Sequence, residues 1–155
     1  MKIIFFGTPL CAIPALQALV NEGFDVVGVV TQPDKPAGRG LKLEQSPIKV
    51  KALELGLKVF DLTEAQTLKL LNPGLGVVVA YGKIIPQPVL DIFPRGVLNI
   101  HPSLLPKYRG PSPVQSAILN NDKQTGITIM LLDDKMDHGP ILVQHIVNLV
   151  PPLKV

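Results

Sequence analysis

KIIFFGTPLCAIPALQALVNEGFDVVGVVT, residues 2–31, sets two apolar runs rich in Ile, Phe and Val on either side of a helix-like segment at 13–22. No charged residue falls between positions 3 and 20, so a targeting or membrane segment is the competing reading. Gly7-Thr8-Pro9 breaks the run after four strand-like residues, Pro14 interrupts it again, and no A-x-A-like cleavage site follows. A buried strand followed by a helix explains these residues better, and no membrane association is expected.

The same texture recurs along the rest of the chain. Strands are expected at 2–6, 26–31, 58–60, 75–81 and 97–101, and helices at 13–22, 47–55, 64–71 and 86–93, with Pro47 and Pro86 suited to first helical turns. Short Val- and Ile-rich runs alternating with helices specify an α/β fold: an open, mostly parallel, Rossmann-like sheet with helices on both faces. After His101 the pattern changes to a loop, a helix near 112–120, and strands near 125–132 and 141–149, the last alternating loosely enough for an edge. Residues 32–46, QPDKPAGRGLKLEQS, lack periodicity and read as a long functional or mobile loop.

A chain of 155 residues suits one domain with a sizeable core. Its 46% hydrophobic and 17% charged content is that of a folded protein and excludes disorder. The single cysteine, Cys11, rules out an internal disulfide framework and fits a reducing, cytoplasmic setting. Lying in an apolar stretch, it is expected to be buried. A net charge of +3 permits a polyanionic partner without demanding one.

Three stretches bear on chemistry. FFGTP carries one glycine where a dinucleotide fingerprint needs three, so no nicotinamide or flavin cofactor is specified. His101, His138 and His145 have no ligand spacing, and no metal is expected. In a strand at 97–101, Asn99 and His101 project from the same face. An amide donor beside an imidazole suits a reaction that builds negative charge on oxygen while a proton moves. On spacing alone the N-x-H signal is weak, and a satisfied polar strand end is the favoured reading. The acidic loop DDKMDHGPIL, 133–142, offers a carboxylate to stabilise an imidazolium. Asp137 is preferred because it precedes the glycine turn, although spacing does not separate it from Asp133 or Asp134. Lys35, Arg39 and Lys42, spaced along the glycine-containing loop, suit phosphate contact or a solvated surface.

The strings FGTPLCAIPAL (6–16), TQPDKPAGRG (31–40), VVVAYGKIIP (77–86), NIHPSLLPKYRGPSPVQSAIL (99–119) and TGITIMLLDDKMDHGPIL (125–142) resemble the formyltransferase domain of the methionyl-tRNA formyltransferases. The N-x-H-P-S-L-L-P element with a downstream D-x-G marks enzymes that use 10-formyltetrahydrofolate, and FGTP with QPDxPAGRG narrows the resemblance to the methionyl-tRNA group. It implies formyl transfer from that folate to the α-amino group of initiator methionyl-tRNA during translation initiation. Asn99 then matches the oxyanion donor, His101 the imidazole that handles protons, and Asp137 the carboxylate that charges and orients it. Ser103, Leu104, Leu105 and Pro106 match the loop beside the folate. Tyr81, Gly82, Lys83, Ile84 and Ile85, with Leu132, Asp133 and Asp134, match the pterin pocket. Lys35, Arg39 and Lys42 match the segment that approaches tRNA. A monomer needing no metal is implied.

The chain also departs from the pattern. Leu10 and Cys11 replace an acidic and an aromatic residue, His138 stands where a threonine is usual, and the stretch between Phe60 and Leu68 is short, so a reduced third helix is expected. Gly74 and Gly76 replace residues expected to be acidic and apolar, and a glycine inside a strand weakens it. Relatives continue into a β-barrel domain beyond the position of Val155, so a single formyltransferase domain, 1–155, cut short near its C-terminal end is expected. Two other functions remain open on the sequence: a weak or inactive folate- or RNA-binding remnant, and a formyltransferase for a small amine.

Overall fold

Five consecutive residues, Ile3 to Gly7, are buried in strand β1 (Lys2–Gly7). Alternate side chains of a strand point to opposite faces, so burial without alternation means that both faces are covered. The structure, a computed structural model, describes residues 1–37, 42–133 and 135–149. It divides into two compact units, residues 1–97 and residues 98 onward.

In the first unit β1 is followed by α1 (Ile13–Asn21), β2 (Asp25–Val30), β3 (Lys35–Ala37), β4 (Lys42–Glu44), α2 (Pro47–Glu54), β5 (Val59–Phe60), α3 (Ala65–Leu70), β6 (Leu75–Val79) and α4 (Gln87–Leu90). The main strands are ordered β5-β2-β1-β6, and all three pairings are parallel. Ile3, Ile4, Phe5, Phe6, Leu16, Val29 and Val30 are fully buried. Each such side chain contributes about 1.5–3 kcal/mol of burial. The Phe6 ring meets Tyr81 and Phe93 edge-on, with centroids 5.9 Å away in both cases. Helix α2 starts where Pro47 supplies a helical φ and the Ser46 hydroxyl accepts the Lys49 N–H at 3.0 Å.

Three expectations about this unit need correction. Residues 32–46 are not one irregular loop, because β3 and β4 pair antiparallel within them. Cys11 is exposed: it lies on a short 3₁₀ turn, Leu10–Ala12, that buries only Ala12. The strand expected at 75–81 ends at Val79, because Ala80 takes a left-handed φ of +46° and turns the chain. The third helix is short, six residues behind a capping box formed by Asp61 and Glu64. Gly76 has a packing reason: a Cβ there would sit 2.9 Å from a Val97 methyl, so its absence lets the chains close up.

The second unit begins in β7 (Val97–His101) and continues through α5 (Pro113–Leu119), β8 (Gln124–Leu131) and β9 (Ile141–Asn148). Its strands run β7-β8-β9 and pair antiparallel, with Asn99 opposite Met130 and His101 opposite Thr128. Every residue of β9 is exposed, as an edge strand allows. No helix among the described residues is long and apolar enough to cross a membrane.

Candidate active site

The alternation of β7 places Asn99 and His101 on one face, and the connection from β8 to β9 brings a carboxylate to them. That connection is closed at its base by the Leu131 N–H donating to the Pro140 carbonyl at 3.0 Å. A side chain at Gly139 would collide with the Leu131 carbonyl oxygen, so only glycine fits the close return. Asp137 has a left-handed φ of +47°, a conformation that aspartate tolerates better than most residues.

Asp137 divides its two oxygens. Oδ1 accepts from Asn99 Nδ2 at 3.2 Å and stands 3.6 Å from His101 Nδ1. Oδ2 accepts the Gly110 backbone N–H at 2.8 Å. On the far side of the imidazole, Nε2 lies 2.9 Å from the Tyr108 carbonyl oxygen. A carbonyl only accepts, so the Nε2 position carries the proton, and Nδ1 is left as the nitrogen that can gain or lose one. His101 is 5% exposed, so this exchange is confined to the face it shares with Asn99 and Asp137. The amide of Asn99 has two N–H groups. One is held by Asp137, which fixes the orientation of the amide, and the other has no partner among the described residues and is able to donate to an oxygen brought beside it.

The structure thus separates the three acids that spacing leaves equivalent. Asp137 reaches His101. Asp133 instead takes the His138 Nδ1–H at 2.9 Å and the Lys135 N–H at 3.0 Å, and these bonds, that of His138 foremost, hold its carboxyl below the usual range. Asp134 lies outside the described residues. Leu132 is half-buried.

The loop after His101 is tied down by a polar node. Ser103 is fully buried, and its hydroxyl donates to the Lys107 carbonyl at 2.6 Å. The Thr128 hydroxyl donates to the Ser103 carbonyl at 2.6 Å while accepting from the Leu105 N–H and from Gln144. Leu105 is buried, Leu104 half-buried and Pro106 exposed. The Ser103 hydroxyl is therefore engaged in shaping the loop.

In the first unit, the Tyr81 carbonyl accepts from the Thr8 hydroxyl at 2.8 Å and from Gln32 Nε2 at 2.9 Å, and burial pushes the Tyr81 phenol up. Ile85 is buried, while Gly82, Lys83 and Ile84 are exposed. Lys35 donates to Gln32 Oε1 at 2.7 Å, and both border a cleft of about 290 Å³ lined also by Thr8 and Ser46. Arg39 and the side chain of Lys42 lie outside the described residues. Among the described residues no group of three or more His, Cys, Asp or Glu gathers to hold a metal.

Sequence reasoning misses the Tyr108 carbonyl, the Gly110 N–H and the Thr128 hydroxyl. The first two are backbone groups aimed by left-handed φ values of +56° and +99°. Only the glycine at 110 could have signalled such a turn.

The profile of the formyl transferase family matches residues 1–154. A methionyl-tRNA formyltransferase of Chloroflexus aurantiacus is 54% identical over 157 residues, covering 97% of this chain and 51% of that protein. Its counterpart in Pseudothermotoga lettingae is 50% identical, covering 93% and 48%. The chain spans about half the length of these curated relatives. A phosphoribosylglycinamide formyltransferase structure from Bacillus halodurans superimposes with a TM-score of 0.78 over 99% of this chain and 83% of that one, at 23% identity, which establishes a shared fold. A sugar 3N-formyl transferase solved in the presence of dTDP and 5-N-formyl-THF gives a TM-score of 0.68 at 27% identity, covering 96% and 52%.

Proposed function

The chain belongs to the formyl transferase family, and on that premise we propose that it moves a formyl group from 10-formyltetrahydrofolate to the α-amino group of initiator methionyl-tRNA. The observation that carries the reading is the position of Asp137 Oδ1, within reach of both Asn99 Nδ2 and His101 Nδ1.

In the reaction the amine nitrogen attacks the formyl carbon, and the carbonyl electrons move onto oxygen. The free N–H of Asn99 and the Nδ1–H of a protonated His101 donate to that oxyanion, and Asp137 supports the positive charge on the imidazole. The amine proton passes to the Asp137 carboxylate, because the protonated His101 has no free lone pair. Collapse of the intermediate breaks the bond from carbon to N10, which takes up that proton as tetrahydrofolate departs. Ser103 to Pro106, Leu132 to Asp134 and Tyr81 to Ile85 are proposed to border the folate, and Lys35, Arg39 and Lys42 to contact tRNA; all of these roles rest on the motifs alone.

Incubation with 10-formyltetrahydrofolate and charged initiator tRNA tests the reading by release of formyl-methionine. Turnover abolished by His101→Ala is the expected result. A folded protein that binds the folate without turnover supports a binding remnant instead. Equal rates with a free amine, insensitive to salt, point to a small acceptor.

A further inference from the structure

The tautomer of His101 depends on a backbone carbonyl that something must hold in place. Tyr108, which supplies that carbonyl, sits at φ +56°. For a residue with a side chain this conformation is strained. The restraint comes from Asp122, just beyond the C-terminal end of α5, whose backbone N–H donates to the Ala117 carbonyl at 3.0 Å. Its Oδ2 accepts from the Tyr108 hydroxyl at 2.8 Å and from Lys107 Nζ at 2.7 Å. The Lys107 ammonium also lies 4.8 Å from the centre of the Tyr108 ring. The Lys107 carbonyl, in turn, receives the Ser103 hydroxyl at 2.6 Å. Both side chains and one carbonyl of the Lys107-Tyr108 pair are therefore pinned, which leaves the Tyr108 carbonyl aimed at the imidazole.

We propose that Asp122 is a positioning residue: by clamping Lys107 and Tyr108 it keeps the Tyr108 carbonyl on His101 Nε2, so that Nδ1, facing Asp137, is the nitrogen that exchanges protons. The kinetic consequence rests on the formyl-transfer reading, whereas the tautomer does not. Lys107 foremost, and then Tyr108, hold the Asp122 carboxyl below its usual range. A neutral His101 released from the carbonyl would populate both tautomers, and the form with the proton on Nδ1 has no lone pair on the face shared with Asp137.

The ¹⁵N chemical shifts of the His101 ring report the tautomer directly. In the unaltered protein at a pH where the ring is neutral, Nε2 should resonate as a protonated and Nδ1 as an unprotonated nitrogen. In Asp122→Ala the two shifts should move toward their mean, and Tyr108→Phe, which removes one hydroxyl, should give a smaller change in the same direction. The kcat should fall about tenfold in Asp122→Ala, a fraction of what general acid–base catalysis contributes, with KM for 10-formyltetrahydrofolate unchanged. Asp122→Asn should recover most of both signals, because its amide oxygen can still accept from the Tyr108 hydroxyl. Wild-type ring shifts in both Asp122→Ala and Tyr108→Phe overturn the proposal; should Asp122→Ala fail to fold, Tyr108→Phe decides alone. A protein that shows the tautomer shift yet never transfers formyl groups would instead overturn the function while leaving this inference standing.

Discussion

Strands β1 and β7 each lead into a turn that contains a proline, yet one is buried scaffold and the other carries the candidate site. From Ile3 to Gly7, β1 presents no polar side chain, and the first one beyond it, the Thr8 hydroxyl, spends its proton on the Tyr81 carbonyl. β7 carries Asn99 and His101 on one face, and after every hydrogen bond among the described residues is made, one amide N–H and the imidazole Nδ1 remain available. Polar groups at a strand end become chemistry only when the surrounding bonds orient them without exhausting them. Substitutions in the two strands should therefore separate stability from rate.

The largest effect is expected at Phe6. Its ring is fully buried and meets two other rings edge-on, so Phe6→Ala should cost about 3–5 kcal/mol, read as a drop in the urea midpoint at constant slope. A loss below about 1 kcal/mol would remove β1 from the core. Next comes Asn99→Ala, on a half-buried residue. It should lower kcat by about 10²–10³ while costing less than about 1.5 kcal/mol of stability, because what it removes is the proposed oxyanion donor and a single hydrogen bond. If stability fell by more than the rate, the contrast between the strands would fail.

How far the sequence carries this contrast depends on what each element is made of. The parallel unit is legible because β1, β2 and β6 are continuous apolar runs, a pattern that only strands covered on both faces need. The β3–β4 pair is not legible, since KPA and KLE are three-residue strands with no apolar alternation to betray them. In the site, the spacing of Asn99 and His101 announces a shared face, and β7 has the expected bounds. The choice of Asp137 over Asp133 is invisible to spacing, because both are aspartates of one loop and their backbone conformations aim them differently. Cys11 misleads for a related reason: apolar neighbours in sequence do not decide which side of a 3₁₀ turn faces inward.

Thr8→Val probes the exit of the scaffold strand β1. The substitution removes the hydroxyl while keeping the shape, and the Tyr81 carbonyl retains its second donor, Gln32 Nε2, so no buried acceptor is left bare. The expected cost is near 0.5 kcal/mol, the lower end for a lost hydrogen bond. A loss above about 2 kcal/mol would mean that the exit of β1 depends on one hydroxyl, and denaturant titration distinguishes the two outcomes.

The smallest effect is expected in acid, at Asp61. Its carboxylate accepts from the Thr63 hydroxyl and from the Thr63 N–H, and these bonds, against a smaller opposing effect of burial, hold its pKa below the ordinary 3.8. A carboxyl whose pKa is depressed by folding adds stability that is complete above the unfolded value and fades as the pH falls through the folded one. Asp61→Asn keeps an oxygen for the Thr63 N–H but cannot titrate. The stability difference between the two proteins should therefore be present near neutral pH and shrink below about pH 4, with the unaltered protein the more stable at neutrality. Because the group is largely solvated, that difference should be smaller than the one for Thr8→Val. At neutral pH, kcat should be unchanged, since Asp61 caps a turn in the parallel unit and none of its hydrogen bonds involves Asn99, His101 or Asp137. A loss of kcat in Asp61→Asn would place a scaffold residue in control of the site and break the division between the two strands.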